Sequence, residues 1–232
     1  MASMTGSVVV LSGAGLSAAS GVQTFRGGGG LWEGHAVEDV ATPQAWVRDP
    51  WLVRRFYDER RAGVAAVKPN AGHHALVRLQ RVWGADRVLL VTQNIDGLLG
   101  VAGATEVLEM HGALRKLRCE AHEDHPWVDV VGVQDPAVRC ECGAALRPAV
   151  VWFGEVPLFM ERITEALAAC SLFLSVGTSG LVYPAAGFVR IASQAGAHCV
   201  EVNPTPAGGP FDQVVAEGAE TALPRVVDAL LA

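Results

Sequence analysis

The sequence predicts an α/β fold, a doubly wound parallel sheet with a smaller inserted lobe. Five short apolar runs rich in β-branched residues, at 8–11, 87–91, 106–109, 172–176 and 198–202, read as strands buried on both faces. Helical patterns lie between them, and strand–helix alternation places helices on both sides of a parallel sheet. Two stretches, 38–65 and 118–148, break the alternation and read as insertions.

The first run, VVVL at 8–11, breaks at Gly13-Ala14-Gly15 and is followed by small residues. A buried strand that ends in Gly-x-Gly and opens a helix is a phosphate site. The glycines allow a tight turn and close approach, and free N–H groups at the helix start attract anions. Residues 38–65 are helix-like and rich in Trp, Arg and Asp, with no strand beside them. In NAGHHALVRLQRVW (70–83), Ala71, Ala75, Leu76, Leu79, Val82 and Trp83 recur at helical spacing. Residues 158–169, 183–195 and 223–231 follow the same period. Residues 118–148 are irregular and carry Cys, His and Pro. The expected organisation is a single domain over 1–232. Its large lobe takes about 1–35, 70–115 and 150–232, and its small lobe about 36–69 and 116–149. Ligands bind beyond the carboxyl ends of such strands, so a cleft between the lobes is the expected site.

Composition narrows the function classes. Half of the 232 residues are apolar and 18% are charged, which supplies a core and excludes disorder. A net charge of −6 argues against general nucleic-acid binding, which favours a basic surface. No apolar run approaches the roughly 20 residues of a membrane span, and the first residues lack the pattern of a secretory signal. Five cysteines are an odd count and do not form a disulfide scaffold, so a cytoplasmic location is expected. Cys170 and Cys199 flank apolar runs and read as buried thiols.

Gly13-Ala14-Gly15 alone does not identify a nucleotide. A hydride-transferring dehydrogenase places an acid about 20 positions later, at the end of a second strand. Glu33 has that spacing but lies in GGGGLWEGH, which does not read as a strand, so the redox reading weakens. Thr92-Gln93-Asn94-Ile95-Asp96 directly follows the run 87–91, and taken alone it is a helix cap. Met110-His111-Gly112 follows 106–109, and an imidazole with an ordinary pKa of about 6.5 suits a general base near neutrality. His35, His73 and His74 read as surface or internally satisfied histidines. Gly177-Thr178-Ser179 and Asn203-Pro204 follow the last two runs, and either alone is only a turn. Five successive strand ends with small and polar residues describe a lined ligand cleft.

Those strand ends carry GAGLSAASG with Phe25-Arg26, then QNID, MHG, LRPAVVWFGE, VGTSGLVYPA and VEVNP, in that order over nearly the whole chain. The chain thereby resembles the sirtuins, the Sir2 family of NAD-dependent protein deacylases. The resemblance implies a Rossmann-like lobe that consumes NAD as a co-substrate. Such an enzyme acts on acylated protein lysines and releases nicotinamide and O-acyl-ADP-ribose. It casts His111 as the general base toward a ribose hydroxyl, after the acyl oxygen has attacked the anomeric carbon and nicotinamide has left. Asn94 and Asp96 would grip ribose and carboxamide, with Gln93 beside them. Gly13, Ala14, Gly15 and Ser17 would hold the phosphates. Phe25 and Arg26 would close over the cofactor on a lid ending in Gly27-Gly28-Gly29-Gly30. Gly177, Thr178, Ser179, Asn203 and Ala219 would line the adenosine side. Phe153, Gly154 and Glu155, with Gly180, Val182 and Tyr183, would sandwich the substrate backbone as an added strand. Almost no extension is expected beyond the catalytic core that the resemblance implies, so a monomer is the expectation. Protein mono-ADP-ribosyl transfer, or a non-catalytic NAD-sensing module, would use the same cleft.

Tyr57 and Arg60 are three apart and share a helix face. A guanidinium beside a phenol can bind a carboxylate, although Asp58 and Glu59 also offer an ordinary solvated ion pair. This Tyr-x-x-Arg, with the small Ala41, resembles the sirtuin subclass that removes succinyl and malonyl groups. Family members hold a structural zinc with two Cys-x-x-Cys pairs. This chain has Cys119-x-x-His122 and Cys140-x-Cys142 instead. Cys119, His122, Cys140 and Cys142 could form a tetrahedral Cys3His set, with His125 as another possible ligand. The alternative is a degenerate module with no tightly bound metal.

Overall fold

The computed structural model describes residues 6–23, 31, 32 and 34–232; Phe25, Arg26, Gly27 to Gly30 and Glu33 lie outside the described residues. In chain order, β1 (Val8–Ser12) leads into α1 (Ala14–Ser17), and β2 (Leu31–Trp32) pairs antiparallel with β3 (His35–Ala36). Next come α2 (Val37–Val40), α3 (Pro43–Arg48), α4 (Pro50–Ala65) and α5 (Ala71–Trp83). Then follow β4 (Val88–Thr92), α6 (Leu98–Val101), β5 (Val107–Glu109), β6 (Gly112–Cys119), β7 (Val128–Asp129) and β8 (Leu146–Val150). The chain closes with α7 (Met160–Ala169), β9 (Leu172–Val176), α8 (Phe188–Gln194), β10 (His198–Val202), β11 (Gln213–Val215) and α9 (Ala219–Leu231).

The main sheet is parallel, in the order β11-β10-β9-β1-β4-β5. Strand period explains its two cores, because successive side chains face opposite sides. Val8 and Val10 enter one core with Leu76 and Leu79 of α5 and Leu223 and Val227 of α9. Val9 and Leu11 enter the other with Ile163 and Leu167 of α7 and Phe188 of α8. The sheet is therefore doubly wound, as the sequence predicts. From β1 the chain adds β4 and β5 on one side, then β9 to β11 on the other. The reversal falls between β1 and β9, and their carboxyl ends open the crevice used for ligands in such folds.

The smaller lobe has its own core of Val37, Val40, Trp46, Val53, Phe56, Tyr57, Leu114, Val150 and Trp152. The segment 38–65 is not one helix. Thr42-Pro43 and Asp49-Pro50 divide it, with each proline at a helix start and each preceding side chain accepting a capping N–H, from Ala45 and Leu52, both at 3.0 Å.

Several elements differ from expectation. The segment around Leu31 holds a two-residue ribbon, but it pairs with β3 and not with the parallel sheet. The small lobe contains an antiparallel sheet, β7-β6-β8, that the sequence reading left as irregular structure. A register shift between Gly112 and Leu117 spoils the alternation of β6, and Pro148 in β8 reads against a strand. Pro148 is tolerated because β8 lies at the sheet edge. The edge strand β11 is only three residues long and largely exposed. α7 begins at 160 because Phe159 takes φ +61°. α8 begins at 188, after a 3-10 turn, and α9 starts at 219 and carries Pro224 inside. Among the described residues, no helix is long and apolar enough to cross a membrane.

Candidate active site

The turn after β1 packs against the turn after β9 with no room for side chains. A Cβ on Gly15 would lie 2.6 Å from Gly177 Cα, and one on Gly177 would lie 2.6 Å from the Gly15 backbone. Gly177 also takes φ +58°, a conformation that favours glycine. The Gly13 and Gly15 N–H groups donate to Val176 O and Gly177 O, both at 2.9 Å. This corrects the sequence reading: those two amides stitch the turns together and are not free to bind an anion.

Beyond these turns lies a cavity of about 410 Å³. Gly13, Ala14, Gln93, Asn94, Asp96, His111, Thr178, Ser179, Ala41, Tyr57, Arg60, Phe153, Gly154 and Val182 all line it. Residues predicted from seven separate segments thus meet in one place.

At the cavity wall His111 is fixed by the backbone. Its Nδ1 lies 3.1 Å from Gln93 O. A carbonyl only accepts, so Nδ1 carries the proton and Nε2 keeps the lone pair. Burial lowers the His111 pKa below its ordinary value, against the opposing pull of the Gln93 carbonyl. The side chain is therefore a neutral base at neutral pH.

Asn94, Ser17, Asp96 and His73 form a hydrogen-bonded network. Asp96 Oδ2 accepts from Ser17 Oγ at 2.7 Å, and Oδ1 accepts from Leu98 N at 2.9 Å. Asn94 Nδ2 donates to Gly13 O at 3.0 Å and to Ser17 Oγ at 3.2 Å. His73 Nδ1 accepts from Asn70 N at 3.2 Å, so the proton sits on Nε2, which lies 3.3 Å from Ser17 Oγ. Ser17 thereby donates to Asp96 and accepts from Asn94 and His73, its full capacity. Ser17 and His73 do not line the cavity; they hold Asn94 and Asp96, which do. Burial raises the Asp96 pKa.

His73 carries a prediction. Burial lowers its pKa from 6.5 to about 4. Below pH 6.5 the unfolded chain takes up a proton that the folded chain refuses, so stability falls as pH drops. The loss from this group reaches about 3 kcal/mol near pH 4, offset in part by Asp96, which shifts the other way. Urea unfolding at pH 7.5 and pH 4.5 checks it: the wild type loses more stability between them than His73→Gln does.

At the far end Tyr57 is fully buried, and its Oη accepts from Trp152 Nε1 at 3.0 Å. Burial raises the Tyr57 pKa well above the usual phenol value, so the hydroxyl stays protonated. The guanidinium of Arg60 lies 4.1 Å from the Phe56 ring centroid. Asp58 is taken by the next residue instead: Arg61 NH1 lies 2.5 Å from Asp58 Oδ1, and Arg61 Nε donates to Leu114 O. The pair with Asp58 is thus made by Arg61, and Arg60 lines the cleft. Glu155 lines the cavity as well. Its carboxylate accepts from Arg147 NH2 at 2.5 Å and from Trp152 N at 2.8 Å, so it braces the wall.

Three predicted adenosine-side residues do not line the cavity. Gly177 packs on Gly15, Asn203 Nδ2 donates to Thr178 O at 2.7 Å, and Ala219 opens α9 against Gly72. Trp152 and His73 are the residues sequence reasoning missed. Trp152 stood in the quoted LRPAVVWFGE without a role, and His73 stood in a helix-capping pattern.

A second cluster lies at the end of β6. Ligand atoms of Cys119, His125, Cys140 and Cys142 fall within 4.8 Å of one another. The tight Cys140-x-Cys142 spacing works because the chain turns there: Gly143 N donates to Cys140 O at 2.8 Å, and Gly143 takes φ +86°. Three thiols and an imidazole suit tetrahedral zinc. The imidazole beside the thiols is that of His125, with Nδ1 3.1 Å from Cys140 Sγ. His122, placed in the set by its spacing, instead stacks on His125 at 4.7 Å and groups with Asp124.

Comparison with known proteins gives this site its setting. Residues 13–184 match the model of the Sir2 family. The chain is 49% identical over 229 residues to the NAD-dependent protein deacylase of Escherichia coli (strain K12), covering 97% of this chain and 82% of that protein. A solved complex of a Sir2 homolog with NAD shares the fold with a TM-score of 0.86 at 35% identity, covering 97% of this chain and 89% of that one. A Sir2–p53 peptide–NAD+ complex gives 0.78 at 25% identity, covering 96% and 92%. With sequence matched over most of the chain and fold over nearly all of it, this protein belongs to the Sir2 family.

Proposed function

We propose that this chain is an NAD-dependent protein-lysine deacylase that consumes NAD and releases nicotinamide and O-acyl-ADP-ribose. The observation that carries the reading is His111, held as a neutral base by Gln93 O in a cleft it shares with Asn94 and Asp96. A module that only binds NAD has no need of such a base. The reaction needs a weak amide oxygen held in line with the anomeric carbon, which positioned polar groups supply. Asn94 and Asp96, oriented by Ser17 and His73, hold the ribose and carboxamide end, with Gln93 beside them. His111 Nε2 takes a proton from a ribose hydroxyl. Ala14, Thr178 and Ser179 line the side that receives the rest of the dinucleotide. Phe153, Gly154 and Val182 flank the acyl-lysine, and the exposed apolar Val156, Leu181 and Tyr183 extend that slot. Tyr57 and Arg60 meet the acyl end, with Ala41 leaving room, so acyl groups ending in a carboxylate are included beside acetyl. The described residues that line the cleft all come from one chain, which supports a monomer as the working unit, and the odd number of cysteines supports a cytoplasmic setting.

Incubation with NAD and an acetyl- or succinyl-lysine peptide tests the reading. Free nicotinamide and acyl-ADP-ribose are expected. Nicotinamide release with ADP-ribose attached to protein would instead mark ADP-ribosyl transfer, and no release would mark a binding module.

Cys119, His125, Cys140 and Cys142 hold one structural zinc in this proposal, which ties the 119–145 segment to β6. Metal analysis should find one zinc per chain, retained in His122→Ala and lost in His125→Ala with a lower melting temperature. Zinc retained in His125→Ala at the wild-type melting temperature would remove His125 from the set.

A further inference from the structure

β10 carries a buried acid that does not reach the cleft. Glu201 is 1% exposed and stands beside Ser175 of β9 in the sheet register. Its neighbours Val200 and Val202 enter the core shared with α5 and α9, so strand period sends Glu201 to the opposite face. There Oε1 accepts from Ala207 N at 2.8 Å and meets Asn203 Nδ2 at 3.5 Å. Oε2 is buried and has no hydrogen-bond partner among the described residues. A carboxyl group held in this way opposes folding, because it gives up water for few partners.

What the acid fixes is the segment after β10. The Ala207 bond closes residues 203–207 back onto the strand. Within that turn Thr205 N donates to Asn203 Oδ1 at 3.4 Å, and Asn203 Nδ2 donates to Thr178 O at 2.7 Å. Ala207 packs directly on Gly180, where an added Cβ would lie 2.7 Å from Ala207 Cβ. Thr178 is also tied to its own strand, with Oγ1 3.1 Å from Ser175 Oγ. Residues 203–207 thus back the turn 178–180, and Thr178 and Ser179 present its front to the cavity.

We infer that Glu201 is a positioning residue for NAD: by holding the 203–207 turn it sets the Thr178–Ser179 wall that receives the dinucleotide. This rests on the reading of that wall as part of the NAD site. Loss of the carboxyl group loosens the wall from behind. It therefore weakens NAD binding and spares the chemical step at His111.

The test measures NAD affinity by calorimetry, KM for NAD and for an acetyl-lysine peptide, kcat and melting temperature. Glu201→Met keeps the volume and removes both oxygens. Its Kd and KM for NAD should rise about tenfold, the scale of one hydrogen bond to a charged group, with kcat and peptide KM within about twofold of wild type. Its melting temperature should hold, since an apolar side chain replaces a sparsely partnered buried acid. Glu201→Gln keeps an acceptor for Ala207 N and should stay within about twofold throughout. Ala207→Gly, in a half-buried turn, removes the packing on Gly180 and should raise the NAD Kd about threefold. That variant decides the matter if Glu201→Met does not fold. An NAD Kd within about twofold of wild type in Glu201→Met, or a rise there with none in Ala207→Gly, would overturn the role of Glu201. So would an equal rise in Glu201→Gln with a lowered melting temperature in both, which marks a structural role. Failure of the wild type to bind NAD would instead overturn the reading of the cleft.

Discussion

His111→Gln is expected to lower kcat/KM for acyl-lysine peptides by about 10²- to 10⁴-fold, the range a positioned general base supplies. Only the deprotonated imidazole can act, and burial lowers its pKa below the ordinary 6.5. The acid limb of the wild-type profile should therefore fall below pH 6.5 and be absent from the residual activity of the variant. The base is needed after nicotinamide has left. Exchange of labelled nicotinamide into NAD, measured with acyl peptide present, should accordingly survive His111→Gln better than product formation does. An acid limb unchanged in the variant would show that another group carries the proton.

The second large effect lies at the other end of the cleft. Arg60→Met should lower the succinyl-to-acetyl ratio of kcat/KM by about 10- to 100-fold, the loss of a charge-assisted bond worth about 1.5–3 kcal/mol. Methionine keeps most of the apolar stem over Phe56, so the change isolates the charge. Arg61 is the internal control for stability. It is 4% exposed and joins α4 to β6 and to Gly132, so its removal should destabilise the fold, whereas loss of Arg60 should change selectivity. Steady-state kinetics on paired peptides and a melting curve separate the two. An unchanged ratio in Arg60→Met would remove the acidic acyl groups from the proposal.

The main sheet was legible because most of its strands are short, mainly apolar runs and their ends carry the polar residues. Val8 to Ser12 needs no partner to read as a buried strand. The second sheet was not legible, since a bulge in β6 and Pro148 in β8 erase the period that would announce them. The cavity-lining residues at β1, β4, β5 and β9 followed from strand ends alone, and Tyr57 and Arg60 from helix spacing plus the family resemblance. The roles of Gly15 and Gly177 were harder, because a sequence shows that a glycine is required but not what it packs against. His73 and Trp152 were hidden for a related reason. Each acts through the proton it directs at a neighbour distant in sequence, Ser17 and Tyr57. Spacing favoured His122 with His125 as the alternative, and the loop after Cys119 brings His125 to the thiols.

The most direct measurement of NAD consumption coupled to deacylation is its stoichiometry. With limiting acetyl-lysine peptide and excess NAD, one nicotinamide should appear per lysine freed, with none above background when peptide is left out. Nicotinamide released without deacylated lysine, or lysine freed without loss of NAD, would contradict it.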